Sequence, residues 1–262
     1  MIFKAKDKYI TKMNTTSCKR YIDKVCLITG GTRGIGLATA RRLLDEQAKA
    51  VFICSSQQSN VDSALKEFGK NDRVHGMRCD VTVKTQRVAL LEQVKQMYGR
   101  LDVLILNQAV ISHIGKQMEI TEEKFDQAIN VNLKSIFFMI QEALPLLRAA
   151  KRSNILLTSS MSAVDPFYQI GVYGITKAGV NNMAKSLSVE LMDDNIRVNA
   201  IAPGLVNTEM AAPFIRGNSV VNEKNCAKPE DIASVIATIC SDQDGSFMNG
   251  EVYTVHGGFP RL

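Results

Sequence analysis

Short apolar runs alternate with amphipathic stretches along most of the chain. The apolar runs predict β-strands that are buried on both faces, near 24–29, 50–55, 73–79, 102–107, 153–159, 196–201 and 251–255. Between them, apolar residues recur at helical spacing and predict helices near 34–47, 61–69, 83–98, 122–149, 171–193 and 229–241. This alternation predicts an α/β fold, a doubly wound sheet of about seven parallel strands with helices on both faces.

The length and composition suit one domain. The chain has 262 residues, 45% of them hydrophobic, and contains no repeat, low-complexity run or linker rich in proline and serine. That is enough apolar material for a single core. We therefore expect one domain over residues 22–262, preceded by an extension over residues 1–21.

The charge is concentrated in that extension. The formal net charge is +6, but residues 1–20 hold six lysines or arginines against one aspartate, so the remainder is nearly neutral. A neutral domain behind a short basic arm does not indicate a nucleic-acid-binding surface. We expect residues 1–21 to be a disordered, solvated arm. A targeting segment is the alternative, although the arm lacks the apolar stretch of a secretory signal.

The sequence also argues against two other kinds of site. No apolar run reaches the roughly 18 to 20 residues that span a bilayer, so we expect no membrane span. The three histidines are far apart and no Cys-x-x-Cys pair occurs, so we expect no metal site. Six scattered cysteines, several of them in predicted buried strands, suit reduced thiols in an intracellular protein.

A glycine-rich turn follows the first predicted strand. It runs from Thr29 to Gly36 as Thr-Gly-Gly-Thr-Arg-Gly-Ile-Gly and leads directly into a helical pattern. The glycines permit a tight turn and let backbone N–H groups approach phosphate oxygens, which the positive end of the helix also favours. Strand, turn and helix in this order predict a dinucleotide site, although such turns also occur for structural reasons alone.

Tyr173 and Lys177 lie four residues apart on the predicted helix 171–193. Side chains at this spacing share a helix face, so we expect the lysine ammonium to lower the pKa of the phenol, which is ordinarily about 10. Such a hydroxyl can exchange a proton with a carbonyl or alcohol oxygen near neutral pH. Together with the dinucleotide site, the pair indicates hydride transfer between a nicotinamide cofactor and a carbonyl or alcohol.

The candidate residues follow different strands of the predicted sheet. Ligands of open parallel sheets bind beyond the carboxyl ends of the strands. The glycine turn, Asn107, Ser160 and Pro203-Gly204 follow strands one, four, five and six, so they should lie along one edge. This convergence of separate segments predicts a single active site.

These motifs resemble those of the short-chain dehydrogenase/reductase family, which are single-domain enzymes with a Rossmann-type sheet. The similarity covers residues 22–258, and both the Thr-Gly-x-x-x-Gly-x-Gly turn and the Tyr-x-x-x-Lys pair are intact. The resemblance implies four catalytic residues, which are Asn132, Ser160, Tyr173 and Lys177. Ser159 and Ser162 are alternatives for the serine, and Asn130 is the alternative for the asparagine.

The resemblance also implies which residues bind the cofactor. Asp80 and Val81 match positions near the adenine ring, and residues 203–208 match the element that holds the nicotinamide amide. The full set is Thr29, Gly30, Thr32, Arg33, Gly34, Ile35, Gly36, Ser55, Ser56, Asp80, Val81, Asn107, Tyr173, Lys177, Pro203, Gly204, Val206 and Thr208. One motif departs from the family, because its Asn-Asn-Ala-Gly reads Leu106-Asn107-Gln108-Ala109 here.

NADP(H) is favoured over NAD(H) as the cofactor. NAD-specific sites usually carry Asp or Glu at the end of the second strand, where this chain has Cys54, Ser55 and Ser56. Arg33 lies inside the glycine turn, where family members that prefer NADP use a basic residue to pair with the 2′-phosphate. Gln57 counts against this preference, because the nearest branch of the family usually has arginine there.

That branch comprises peroxisomal NADPH-dependent carbonyl or retinal reductases. Apolar residues within 111–114, 166–168 and 205–221 predict a pocket for a small lipophilic substrate. We expect NADPH-dependent reduction of a hydrophobic ketone or aldehyde, with Tyr173 as general acid. The alternatives are oxidation of a sterol- or retinoid-like alcohol, and a catalytically silent cofactor-binding sensor or scaffold.

The resemblance also implies an oligomeric state and a cellular location for the protein. It implies a homotetramer that forms through helices 122–149 and 171–193 and the C-terminal strand. The last three residues, Pro260-Arg261-Leu262, resemble a degenerate peroxisomal Ser-Lys-Leu signal, which the proline weakens. We therefore expect a cytoplasmic or peroxisomal protein.

Overall fold

The computed structural model describes residues 19–215 and 226–258, which form one parallel sheet flanked by helices. The strands are β1 (Val25–Thr29), β2 (Ala50–Ser55), β3 (Val74–Arg78), β4 (Val103–Leu106), β5 (Ser153–Thr158), β6 (Ile196–Pro203) and β7 (Val252–Val255). Their order across the sheet is β3-β2-β1-β4-β5-β6-β7, and neighbouring strands are parallel. The predicted doubly wound sheet of seven parallel strands is confirmed.

Within the described residues, eight α-helices connect or flank the strands. They are α1 (Gly34–Asp45), α2 (Gln58–Phe68), α3 (Lys84–Tyr98), α4 (Glu122–Ile129), α5 (Ser135–Ala149), α6 (Gly171–Glu190), α7 (Ala212–Ile215) and α8 (Pro229–Cys240). A π-helical turn over Asn130–Lys134 separates α4 from α5, so the predicted helix 122–149 is continuous but not uniform. The short helix α7 was not predicted.

The burial of the strands explains their sequences. Every residue of β1, β4, β5 and β6 is buried, because helices cover both faces of the central sheet. Most of their residues are therefore apolar and do not alternate, although β5 and β6 also carry buried polar side chains such as Asn154, Arg197 and Asn199. The strands at the two edges, β3 and β7, are only partly covered and carry polar residues accordingly.

The folded part begins earlier than the predicted boundary at residue 22. Tyr21 is 1% exposed, and its hydroxyl donates to the carbonyl of Ala237 in α8 at 2.6 Å. Arg20 donates two hydrogen bonds to the carboxylate of Glu46, each 2.6 Å long, and one to Asp244. Residues 20 and 21 thus belong to the domain, because they join the end of α1 to α8. The rest of the predicted extension, residues 1–18, lies outside the described residues.

The carboxyl ends of the parallel strands lie at one edge of the sheet. The glycine turn follows β1, Asn107 follows β4, Ser160 follows β5, and Gly204 follows β6. None of the helices that the structure describes is long and apolar enough to cross a membrane. Among the same residues, no cluster of three or more His, Cys, Asp or Glu side chains could hold a metal ion.

Candidate active site

The glycine turn forms a cradle between β1 and α1. Gly30 and Gly34 have φ angles of +60° and +53°, which are accessible to glycine at little cost. A Cβ atom on Gly36 would lie 2.2 Å from the carbonyl oxygen of Gly30, so this close approach of the two backbones requires glycine. The amide of Asn107 donates to the same Gly30 oxygen at 3.0 Å and ties the turn to β4.

The start of α1 is suited to a phosphate. Arg33 precedes the helix in an extended conformation, and its side chain makes no capping hydrogen bond. The first N–H groups of a helix lack partners within the helix, and they carry positive potential that favours an anion. Thr29 and Thr32 are buried beside the turn, and the Thr29 hydroxyl accepts a hydrogen bond from the backbone of Asn107 at 3.2 Å. This cradle fits a dinucleotide phosphate.

The predicted adenosine-binding residues lie at the ends of β2 and β3. The backbone oxygen of Ser55 accepts from Cys79 at 2.8 Å, so the two strand ends stay adjacent beyond the sheet. Val81 is buried there. The carboxylate of Asp80 accepts from the backbone and hydroxyl of Thr82, at 2.9 and 2.7 Å. These residues therefore form one surface next to the glycine turn.

Residues 203–208 lead from β6 back to the glycine turn. Gly204 lies against His256, since a Cβ atom on the glycine would be 2.8 Å from the histidine Cβ. Val206 is buried. Thr208 reaches the cradle, because a Cβ atom on Gly34 would be 3.1 Å from its Cγ2. The predicted nicotinamide-binding element and the phosphate-binding turn therefore lie next to each other.

Tyr173 and Lys177 share a face of α6, as their spacing predicts. The Nζ atom of Lys177 lies 5.5 Å from the centre of the Tyr173 ring. Lys177 is completely buried, and its Nζ donates to the carbonyl of Thr158 at the end of β5, at 2.6 Å. Part of Tyr173 remains accessible from the cleft. The lysine therefore lies behind the tyrosine, on its side away from solvent.

Burial sets the pKa values of this pair. It lowers the pKa of Lys177 to about 7, because the apolar surroundings disfavour the ammonium. Burial also raises the pKa of Tyr173 to about 12, and the hydrogen bond from Ser160 opposes that rise only in part. The pKa of Tyr173 is therefore raised, opposite to the direction that the spacing with Lys177 predicts. The loss of solvent outweighs a lysine that is itself partly neutral.

Ser160 is the serine that reaches Tyr173. Its hydroxyl is hydrogen-bonded to the tyrosine side chain. Ser162 donates to the Ser160 hydroxyl at 2.9 Å and so orients it. Ser159, the other alternative, is buried, and its hydroxyl donates to the backbone oxygen of Lys177 at 3.1 Å. The three hydroxyls therefore have separate positions, and only that of Ser160 meets the tyrosine.

Asn132 occupies the π-helical turn and is completely buried. Its amide exchanges two hydrogen bonds with the backbone of Val110, at 2.8 and 2.9 Å. It also donates to the hydroxyl of Thr176 at 3.2 Å, one residue before Lys177. The π-helical turn interrupts the helix locally at this residue, and the amide is directed toward α6.

Gln108 was missed as a site residue. Its buried amide accepts a hydrogen bond from the Thr29 hydroxyl and donates one to Ser135 at 3.0 Å. Ser135 in turn donates to the backbone oxygen of Val131, inside the π-helical turn. Gln108 thus connects the glycine turn to the segment that holds Asn132. The departure from Asn-Asn-Ala-Gly was its only sequence signal.

Two of the predicted pocket segments meet through an aromatic pair. The rings of Phe167 and Phe214 meet edge to face with centroids 6.0 Å apart, which joins the predicted pocket segments 166–168 and 205–221. Tyr168 is 72% exposed and Met210 is 41% exposed. Residues 216–221 of the predicted pocket lie outside the described residues. The Nε2 atom of His113 forms a hydrogen bond with the backbone oxygen of Lys116 at 2.9 Å, within the same loop.

Related sequences align with most of this chain. A family model for the short chain dehydrogenases matches residues 24–218. Dehydrogenase/reductase SDR family member 4 of Oryctolagus cuniculus is 32% identical over 246 residues, which cover 91% of this chain and 94% of that protein. Tropinone reductase-like 3 of Erythroxylum coca is 34% identical over 250 residues, covering 92% and 95%.

Solved structures share the fold. The 3-ketoacyl-(acyl-carrier-protein) reductase from Brucella melitensis, solved with NADH, is similar with a TM-score of 0.84 and 26% identity, covering 90% of this chain and 98% of that one. Levodione reductase has a TM-score of 0.82 and 26% identity, covering 91% and 98%. The chain therefore belongs to the short-chain dehydrogenase family of NAD(P)-dependent oxidoreductases.

Proposed function

We propose that the protein is an NADPH-dependent carbonyl reductase that acts on hydrophobic ketones or aldehydes. The observation that carries this proposal is the placement of Tyr173. Its hydroxyl is hydrogen-bonded to Ser160, Lys177 is buried behind it, and two of the predicted pocket segments meet at the Phe167–Phe214 ring pair. A hydroxyl in this position can protonate a carbonyl oxygen that enters the cleft.

The nicotinamide ring supplies the hydride when the cofactor is bound. Tyr173 then delivers a proton to the substrate oxygen, and the Ser160 hydroxyl donates a hydrogen bond to the same oxygen as negative charge develops there. The raised pKa of Tyr173 keeps the phenol protonated before the reaction, which suits an acid. Reduction therefore consumes one proton, which the residues behind the tyrosine must restore.

Lys177 is proposed to restore that proton, and Asn132 is proposed to position the path to it. A lysine whose pKa is about 7 can gain and lose a proton near neutral pH. Lys177 would also hydrogen-bond the nicotinamide ribose, which would draw it toward the cofactor. Asn132 holds the loop at Val110 and the α6 residue Thr176 around the lysine, so it positions the path along which the proton is replaced.

The cofactor would lie along the predicted residues from the glycine turn to Thr208. NADPH is preferred in this proposal because residues 54–61 include no Asp or Glu that would repel a 2′-phosphate. The related reductase from Brucella melitensis was solved with NADH, so family membership alone does not decide the preference. Titration of both cofactors by isothermal calorimetry tests it, and tighter binding of NADH would reject NADPH.

A panel of carbonyl compounds tests the reaction. We expect oxidation of NADPH, followed at its absorbance band, with hydrophobic ketones or aldehydes and little with small polar ones. Turnover of alcohols alone would favour the oxidative alternative, in which the same residues run in reverse. Binding of the cofactor without turnover of any compound would favour a sensor or scaffold.

A homotetramer is proposed as the assembly. An apolar groove runs between α5 and α6 on the outer surface, lined by Leu133, Phe137, Phe138, Gly179 and Met183. Phe137 is 43% exposed. A second subunit with the same helices could cover this surface. Sedimentation of the wild type and of Phe137→Glu tests it, since a charge in this groove should dissociate the assembly.

The location proposed is the peroxisome or the cytoplasm. The tripeptide Pro260-Arg261-Leu262 lies outside the described residues. Imaging the tagged protein with and without these three residues distinguishes the two locations.

A further inference from the structure

The end of β2 is the place where a Rossmann-type sheet distinguishes NAD from NADP. An acidic residue there binds the 2′-hydroxyl of the adenosine ribose, and a basic residue nearby accommodates the 2′-phosphate. In this chain the end of β2 carries two serines, and the position after them is Gln57. Gln57 is uncharged, so another residue must supply the positive charge that faces the 2′-phosphate if the protein uses NADP(H).

Arg78 lies at the end of the neighbouring strand. β3 pairs with β2 so that Arg78 is opposite Ser55. Its Nε donates to the backbone oxygen of Ser56 at 3.1 Å, which holds the guanidinium beside the two serines. The side chain is exposed, and within the described residues this is the only hydrogen bond that the guanidinium makes. Arginine has five N–H donors, so four of them point to solvent or to a ligand.

The surroundings of Arg78 leave its charge available. Asp62 accepts from Gln58, and Asp80 accepts twice from Thr82. Neither carboxylate forms an ion pair with Arg78 among the described residues. The first turn of α2 contains no acidic residue and begins directly after Gln57, which adds the positive potential of a helix N-terminus.

Arg33, the basic residue in the glycine turn, is occupied elsewhere. Its guanidinium pairs with Glu209 at 2.5 Å, on the segment that follows β6. Both side chains are mostly exposed, so this ion pair is weak and can exchange for another anion. Arg33 must nevertheless leave Glu209 before it can reach a 2′-phosphate, whereas Arg78 is held at the end of β2 already.

We infer that Arg78 determines the cofactor specificity of this protein by binding the 2′-phosphate of NADP(H), together with the hydroxyls of Ser55 and Ser56. This inference rests on the proposed use of NADP(H). In this inference, β3 carries the positive charge that related proteins carry after the paired serines. This explains why the uncharged Gln57 can occupy that position. Arg33 is then a second, more mobile contact to the same phosphate.

Calorimetric titration of wild type and Arg78→Gln with NADPH and with NADH tests the inference. We expect the variant to bind NADPH at least about tenfold more weakly, since a charge-assisted hydrogen bond is lost. Its affinity for NADH should stay within about threefold of wild type, which also shows that the site remains folded. Lys66→Gln is the matched control, because it removes the same charge from the opposite end of α2, and it should change neither affinity.

Two contrary outcomes are distinguishable. If wild type prefers NADPH and Arg78→Gln keeps that preference, the role of Arg78 is wrong while the proposed function stands. If wild type prefers NADH, the proposed cofactor is wrong and the inference falls with it. Arg78→Lys should retain part of the preference, because lysine keeps the charge without the planar fork. Equal losses for both cofactors in Arg78→Gln would indicate a structural role instead.

Discussion

Burial controls the ionisation of the two residues at the centre of the proposed mechanism. Helical spacing correctly predicted that Tyr173 and Lys177 share a face of α6. It did not predict how deep that face lies, because depth depends on the π-helical turn and the end of β5, which pack over it from distant parts of the chain. The direction of both pKa shifts follows from that depth, with Lys177 lowered to about 7 and Tyr173 raised to about 12.

The lowered pKa of Lys177 should appear in the pH dependence of stability. The folded protein releases the lysine proton near pH 7, whereas an unfolded lysine retains it to about pH 10.4. Burial of the ammonium therefore destabilises the fold below pH 7, and this penalty disappears as the pH rises toward 10.4. The free energy of unfolding of wild type should rise between pH 7 and 9.5 relative to that of Lys177→Met.

Urea unfolding of both proteins at several pH values measures this difference. The comparison cancels the titration of other groups, including the buried cysteines, because both proteins contain them. A stability difference that does not change with pH would show that Lys177 keeps its proton throughout this range in the folded protein, and it would contradict the lowered pKa.

At the scale of elements, the strands and helices were predictable wherever one pattern dominated. The predicted ranges are close to the observed ones for the buried strands β1, β2, β5 and β6 and for the helices α1, α3 and α8. The short helix α7 lacks a strong pattern and was missed. Gln108 was also missed, because its partners Thr29 and Ser135 come from distant segments and only the departure from Asn-Asn-Ala-Gly marks it in the sequence.

The glycine turn between β1 and α1 leads to a prediction about cofactor binding. Gly36→Ala should abolish binding of either cofactor, because the new Cβ would lie 2.2 Å from the Gly30 oxygen and the cradle would have to open. Gly179→Ala is a control within α6, where the new Cβ meets the flexible side chain of Leu133, with its two terminal methyl carbons 3.0 and 3.3 Å away. Calorimetric titration with NADPH distinguishes the two variants. Normal binding by Gly36→Ala would contradict the assignment of the cradle.

For the molecule as a whole, composition and the alternation of apolar runs with helical patterns predicted the doubly wound sheet. The predicted start of the domain at residue 22 was too late. Residues 1–20 were grouped by charge, and charge does not reveal that Arg20 has a buried partner in Glu46. Tyr21 is a large side chain that closes the core between α1 and α8. The fold therefore extends upstream of the first strand, to residues that composition alone assigned to a tail.

Shortened chains test this boundary. A chain that begins at residue 22 should be less stable than one that begins at residue 19 by at least about 3 kcal/mol, since it loses a buried aromatic side chain and a buried ion pair. Urea unfolding measures both. Equal midpoints would show that Arg20 and Tyr21 contribute nothing to the fold.

The proposed mechanism depends on the Tyr173 hydroxyl, which a single substitution removes. Tyr173→Phe keeps the ring and takes away the proton donor, so NADPH-dependent turnover of a carbonyl substrate should fall by at least about a hundredfold. Binding of NADPH, measured alongside, should persist and show that the fold is intact. Turnover within a few fold of wild type would contradict the proposed mechanism.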